Sequence, residues 1–158
     1  MASRCSPSSP PDAAGERGPV TTPRPSRKQA RRDALFLLYQ SDVTDLDLEE
    51  LEEGQRLREG YGPDDFTKAA VAGVLERRDE LDAVLERHST GWPLDRIAPL
   101  ERSALRLALW EIESGTTPAE VAIDEAVRLA KRYSTDEAGA LVNGILGAIV
   151  RERDDSDG

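Results

Sequence analysis

Apolar residues recur every three or four positions through most of the second half of the chain. Between Ile97 and Val150 three such stretches follow one another, separated by short polar turns. The first carries Leu100, Ala104, Leu105, Ala108, Leu109 and Ile112. The second carries Ala122, Ile123, Ala126, Leu129, Ala130 and Tyr133. The third carries Ala138, Leu141, Val142, Ile145, Leu146 and Ile149. This spacing places each set on one face of a helix. Two turns add start signals. Thr117-Pro118-Ala119-Glu120 offers a capping hydroxyl, a proline at the first helical position and a glutamate three residues on; Ser134-Thr135-Asp136-Glu137 repeats the box without the proline. Three helices with short links bury their stripes only against one another or a neighbouring bundle. The expected class is all-α.

The first half is less regular. Ser26 opens a helix that runs to about Val43, with Ser26-Arg27-Lys28-Gln29 as another capping box. Ala34 to Tyr39 is apolar all round, so this helix is expected to be covered on more than one side. Asp45 to Arg58 is acidic and weakly periodic; Leu46, Leu48 and Leu51 suit a short docked helix on a solvated face. Pro63 then starts a helix expected to continue through His88, with Gly73 allowing close approach of a neighbour. Trp92 is expected to pack across the junction between the halves, and the charged end from Arg151 is expected to fray. Residues 1–25, rich in Ser, Pro, Gly and Ala, lack the large apolar side chains that offset ordering entropy and are expected to be disordered.

Charge changes this picture. The net charge of the 158 residues is −10. Up to Arg32 there are seven basic residues against two acidic ones, a surplus of five, so the remainder carries −15. A basic arm on an acidic body is one signature of nucleic-acid interaction, and the acidic body confines any such contact to the arm. Arg27, Lys28, Arg31 and Arg32 also sit in the first turns of their helix, where the dipole disfavours cations. Either they serve a ligand or they form a solvated basic end. The single cysteine, Cys5, excludes an intramolecular disulfide or a cysteine-built metal site. With no apolar run of spanning length and no secretory signal at the N-terminus, the plain expectation is a cytoplasmic protein without a membrane segment.

Signals for catalysis are poor. The one histidine, His88, sits near a helix end and reads as a surface or capping residue. No nucleophile elbow, phosphate loop or metal-binding pair occurs, and no cofactor is expected. Asp124-Glu125 and Asp136-Glu137 are adjacent pairs whose side chains diverge by about 100° on a helix. Asp124 with Arg128 reads as an exposed ion pair one turn apart. Gly144 and Gly147 read as a close-packing site. Asn143, inside an apolar stripe, is expected to be buried and hydrogen-bonded, with a ligand role as the alternative.

Arg102 to Glu111 (RSALRLALWE), Val121 to Lys131 (VAIDEAVRLAK) and Val142-Asn143-Gly144 stand in an order and spacing that resemble the NusB family of bacterial transcription antitermination factors. The likeness runs from near Ser26 to near Val150. It implies six to seven helices in two small bundles packed side by side, here 26–92 with the basic first helix and 93–151, followed by an acidic tail at 152–158. It implies a non-catalytic protein that binds boxA-type single-stranded RNA in nascent, notably ribosomal, transcripts. The implied partner is NusE, a small-subunit ribosomal protein, within an antitermination complex on RNA polymerase. The family's arginine-rich first helix corresponds to Arg27, Lys28, Arg31 and Arg32, with Gln29 where other members carry a further arginine.

Glu101, Lys131, Tyr133 and Asp136 also match family positions; Glu101, Lys131 and Asp136 join the expected RNA-binding set, whereas Tyr133 reads more readily as core. Leu141 stands where many members have phenylalanine, which removes a surface for base stacking. Phe36 and Tyr39 are the expected contacts for NusE. A homodimer stays open. Two other classes remain: a helical protein-binding adaptor, and a relative of the NusB-like domain that precedes the catalytic domain of some rRNA methyltransferases.

Overall fold

A computed structural model describes residues 25–157, and among them seven α-helices and no strand. Apart from Pro25, the segment expected to be disordered lies outside the described residues. Helix α1 spans Arg27–Val43, and its N-cap, the Ser26 hydroxyl, accepts the Gln29 backbone N–H at 3.1 Å. The reciprocal half of that box is missing, because the Gln29 side chain donates to the Tyr61 hydroxyl instead. Helix α2, Leu48–Glu59, begins with a complete capping box between Asp47 and Glu50 and ends at Gly60, whose φ of 81° a residue with a Cβ rarely adopts. Leu51 is buried in the core, whereas Leu46 precedes the helix and stays exposed.

Pro63 to His88 holds two helices where one was expected. Helix α3, Asp65–Glu76, is capped by Asp64, so Pro63 lies before the helix and not within it. Helix α4, Arg78–Arg87, follows a break at Arg77, whose φ and ψ of −105° and 19° leave helical geometry. The break gives the two segments separate packing partners. Helix α3 lies on α1 and on α5 (Pro99–Ser114), while α4 packs on α5 and α7 (Asp136–Asp157). A 3₁₀ turn at Leu94–Arg96 leads into α5, and α6 (Ala119–Tyr133) packs between α5 and α7. Trp92 is 56% exposed and does not fill the junction; Leu94 and Ile97 do.

Two start signals are used differently from the expected way. The Thr117 hydroxyl does not cap α6; it donates to the Glu111 carboxylate. At α7 the cap is Thr135, whose hydroxyl accepts the Ala138 N–H at 2.9 Å, one residue beyond the expected Ser134. A side chain six residues away in sequence, or a neighbouring hydroxyl with better geometry, displaced the local choice.

All three expected stripes face a common core. Leu105, Leu109, Leu129, Leu146 and Ile149 are fully buried there beside Leu35, Leu81 and Leu85 of the first half. Helices α1–α4 and α5–α7 therefore share one continuous apolar cluster, with α5 at its centre. Gly73 makes room for the Trp110 indole of α5: a Cβ built there would lie 2.1 Å from Trp110 Nε1. The small-residue features of α7 turned out otherwise. Gly144 has nothing nearby and Gly147 meets only the Arg151 side chain of its own helix, so neither is a close-packing site. Asn143 is exposed, because its position points away from the face set by Val142, Ile145, Leu146 and Ile149.

The acidic end does not fray: α7 continues to Asp157. Arg153 donates to Glu113 at 2.5 Å, Arg77 binds the other oxygen of Glu113 at 2.6 Å, and Glu152 lies 3.1 Å from the His88 ring. Although burial pushes the Glu113 carboxyl up, the hydrogen bonds and charges of Arg153 and Arg77 prevail and hold it below its ordinary value of 4.5.

Gly73→Ala is expected to destabilise by about 1–3 kcal/mol through overpacking against Trp110, measured as a lower denaturant midpoint. A depressed carboxylate contributes stability that is present above its unfolded pKa and is lost as pH falls through the lower folded value. Amide protection factors in the 150–157 segment, measured by NMR against the intrinsic exchange rate at each pH, should therefore fall as pH is lowered below about 4.3, and Glu113→Gln should lower them at every pH.

Candidate nucleic-acid interface

The four cations of α1 do not act alike. One turn of helix separates their directions, and burial decides their roles. Arg27 is exposed, with its guanidinium 4.3 Å from the centroid of the Phe66 ring, a cation–π contact with α3. Lys28 is exposed without such a contact. Arg31, one of the expected RNA contacts, is only 3% exposed. Its Nε and Nη2 donate to the two oxygens of Glu111 at 2.9 and 2.7 Å, a bidentate pair between α1 and the central α5. Thr117 supplies Glu111 with a further donor, so the buried carboxylate is well satisfied.

Arg32 is half-buried and donates to Asp33 at 3.0 Å. Burial opposes its charge, but Asp33 outweighs that and raises the guanidinium pKa. Asp33 in turn accepts the Tyr61 hydroxyl, which accepts Gln29. Gln29 thus ties α1 to the loop before α3. Burial and the neighbouring Asp33 raise the Tyr61 hydroxyl as well.

Lys28 and Arg32 line a groove together with Arg128 and Arg132 of α6 and the ring of Tyr133. Arg128 and Arg132 lie one turn apart, a spacing legible in the sequence, but Arg128 had been assigned to Asp124. It pairs instead with Glu125, three residues back, at 2.8 and 3.2 Å. Burial raises the Glu125 carboxyl, yet Arg128, followed by Arg31 and Lys28, holds it below the ordinary range, so one anion sits among these cations. Arg132 leans over Tyr133 with its guanidinium 5.4 Å from the ring centroid. Tyr133, expected in the core, is 37% exposed at the end of α6 and meets Phe36 edge to face, centroids 4.9 Å apart.

The other expected RNA residues do not line this groove. Lys131 is exposed at its head while its stem covers Gly139, where a Cβ would lie 2.5 Å from Lys131 Cγ. Asp136 is exposed on the first turn of α7, where an acid is favoured by the helix dipole. Glu101 is half-buried on the first turn of α5, and its Oε1 has no hydrogen-bond partner. Of the two expected partner contacts, Phe36 is half-buried against Tyr133 and Tyr39 is 37% exposed. No group of three His, Cys, Asp or Glu side chains among the described residues is arranged to hold a metal. No helix among them is long and apolar enough to cross a membrane.

The model of the NusB family matches residues 28–151. The chain belongs to the NusB family. The transcription antitermination protein NusB of Rubrobacter xylanophilus is 45% identical over 122 residues, covering 77% of this chain and 87% of that one. That of Bacillus subtilis is 41% identical over 124 residues, covering 78% and 93%. Both are named as transcription antitermination proteins and not as enzymes. Among solved structures, NusB in a crystal structure of the antitermination factors NusB and NusE with double-stranded RNA superposes with a TM-score of 0.72 at 30% identity, over 80% of this chain and 96% of that one. The NusB of T. maritima gives 0.70 at 33% identity, over 82% and 94%. The all-α arrangement is therefore the NusB fold.

Because Arg31 and Glu111 are both buried, removing either leaves an uncompensated charge. Arg31→Ala in this NusB protein should cost about 3–5 kcal/mol in urea unfolding, whereas Arg27→Ala at the exposed end should cost far less. Replacing both partners, Arg31→Met with Glu111→Leu, should restore most of the loss.

Proposed function

We propose that this chain is a transcription antitermination factor that binds boxA-type single-stranded RNA in nascent, notably ribosomal, transcripts together with NusE, as part of a complex on cytoplasmic RNA polymerase. The observation that carries the reading is the convergence of Lys28, Arg32, Arg128 and Arg132 on one groove of a chain whose net charge is −10. Cations in a groove attract a phosphate backbone, while an aromatic ring at its end suits an unstacked base better than a duplex. The likeness to a NusB that was crystallised with NusE and RNA supports both partners.

In this reading the phosphates lie along the groove and Arg27 extends the track at the start of α1. Lys131 at the end of α6, Asp136 at the start of α7 and Glu101 at the start of α5 flank the RNA. Arg31 does not touch RNA; it fixes the helix that presents Lys28 and Arg32. NusE packs on the exposed side of Tyr39. Short cationic clusters hold phosphates without reading sequence, so a partner that adds surface supplies the discrimination.

Fluorescence anisotropy with a boxA-type oligoribonucleotide and NusE at fixed concentration tests this. For single strands the logarithmic salt slope is about −0.7 per neutralised phosphate. The Lys28→Ala, Arg128→Ala double variant should bind more weakly and flatten the slope by about 1.4, with matched and scrambled sequences weakened alike. Tyr39→Asp should weaken NusE binding while the helical signal persists. Unchanged affinity and slope in the double variant would overturn the groove as the RNA site and favour a protein-only adaptor.

A further inference from the structure

Beside the cationic groove lies a second depression with apolar walls, between α1, α2 and the start of α5. Phe36, Tyr39, Leu100 and Tyr133 line it. Tyr133 belongs to both depressions, so the two meet across a single ring. The second depression is also lined by a residue that packing alone does not explain. Gln55 is 2% exposed, one turn beyond the fully buried Leu51, at a position where the stripe of α2 calls for an apolar side chain. Neither its Oε1 nor its Nε2 has a hydrogen-bond partner. Gln40 Oε1, which lines the same depression from α1, is buried and unpartnered too. Buried polar atoms are nearly always paired, and a carboxamide with both halves unpaired inside an apolar groove points to a ligand that completes it.

We propose that this depression receives one base of the single strand whose phosphates lie along Lys28, Arg32, Arg128 and Arg132. The proposal rests on the RNA reading of the cationic groove and adds to it the place where a base is read. Tyr133 and Phe36 offer aromatic surface to a flat ring, and Gln55 offers a donor beside an acceptor. Every nucleobase presents an acceptor beside a donor on one edge, so a carboxamide pairs with it through two hydrogen bonds. The apolar walls disfavour a phosphate, and among the charged lining residues the carboxylates Asp33 and Glu59 outnumber the one cation, Arg58. A segment of a protein partner is the competing occupant. Continuity with four cations through the shared Tyr133 wall favours nucleic acid.

The test uses the full chain with three labelled 12-nucleotide probes: oligouridylate, oligoadenylate and an abasic ribose-phosphate oligomer. Gln55→Met, which removes two hydrogen bonds, and Tyr133→Leu, which removes a base–aromatic stack, should each weaken binding of at least one base-bearing probe roughly tenfold and leave the abasic probe unaffected. Lys28→Ala should weaken all three. In the parent protein the Gln55 side-chain amide resonances should shift with a base-bearing probe and not with the abasic one. Should Gln55→Met fail to fold, Tyr133→Leu at the half-exposed edge carries the comparison. If both variants bind like the parent while Lys28→Ala weakens every probe, the base pocket is overturned and the RNA reading stands. If Lys28→Ala changes nothing, the RNA reading falls and the pocket with it. If the variants lose NusE instead, with RNA affinity unaltered, the depression is a protein site and the proposal is wrong.

Discussion

Burial of α5 on every side is the constraint from which the rest of this structure follows. From Ser103 to Glu111 each residue is buried, and α1, α3, α4, α6 and α7 all pack on this one helix. A helix covered all round has no solvated face on which to place polar side chains. Of the polar residues that remain, the charged Arg106 and Glu111 take partners from the surrounding helices, while the small Ser103 hydroxyl has none. Arg106 binds Asp82 of α4 through two hydrogen bonds at 2.7 and 2.9 Å, and Arg102 at the half-buried start of the helix binds Asp42 of α1. Glu111 takes Arg31, and Glu113 takes Arg77 and Arg153. Together these pairs join α5 to α1, α4, α7 and the break between α3 and α4. Ion pairs of this kind contribute little net stability against apolar replacements, but breaking one partner is costly, so they penalise any other register of the surrounding helices.

The candidate RNA groove depends on that register. Lys28 and Arg32 flank Arg31 on α1, and the pair between Arg31 and Glu111 sets the rotation of the helix about its axis. With Arg31 turned to the core, Lys28 and Arg32 meet Arg128 and Arg132 of α6 across one groove. One buried cation thereby positions exposed ones. The same rotation sends Phe36 toward Tyr133 and leaves Tyr39 at the surface, so cationic and apolar surfaces adjoin along a single helix. An acidic chain has few places where phosphate is tolerated, and the juxtaposition of two helices makes one of them.

Three helical stripes, the all-α class and the family were legible in the sequence because each rests on local information. Periodicity of Leu105 and Leu109, or of Leu146 and Ile149, is a property of neighbouring residues, and so are the spacings of Val121 to Lys131. Gly73 was readable for the same reason: a glycine inside an apolar stripe signals close approach, and Trp110 fills the space a Cβ would take. The basic character of the start of α1 was also plain, as a count of charges.

What the tertiary structure alone decided is which polar groups find one another. Arg31 and Glu111 are 80 residues apart, and no local rule distinguishes Arg31 from Lys28 or Arg32 as the one that turns inward. Thr117 looked like a helix cap and became a ligand of Glu111, since a buried carboxylate gains more from a donor than an exposed helix end does. The end of α7 looked frayed because its charges read as solvated, yet Arg153 meets Glu113 forty residues earlier. Asn143 looked buried and is exposed, while Gln55 is buried within a stretch whose charges read as a solvated face. Sequence fixes the periodicity of a helix from its own residues; the pairing of charges across helices depends on distances that exist only after the helices have packed.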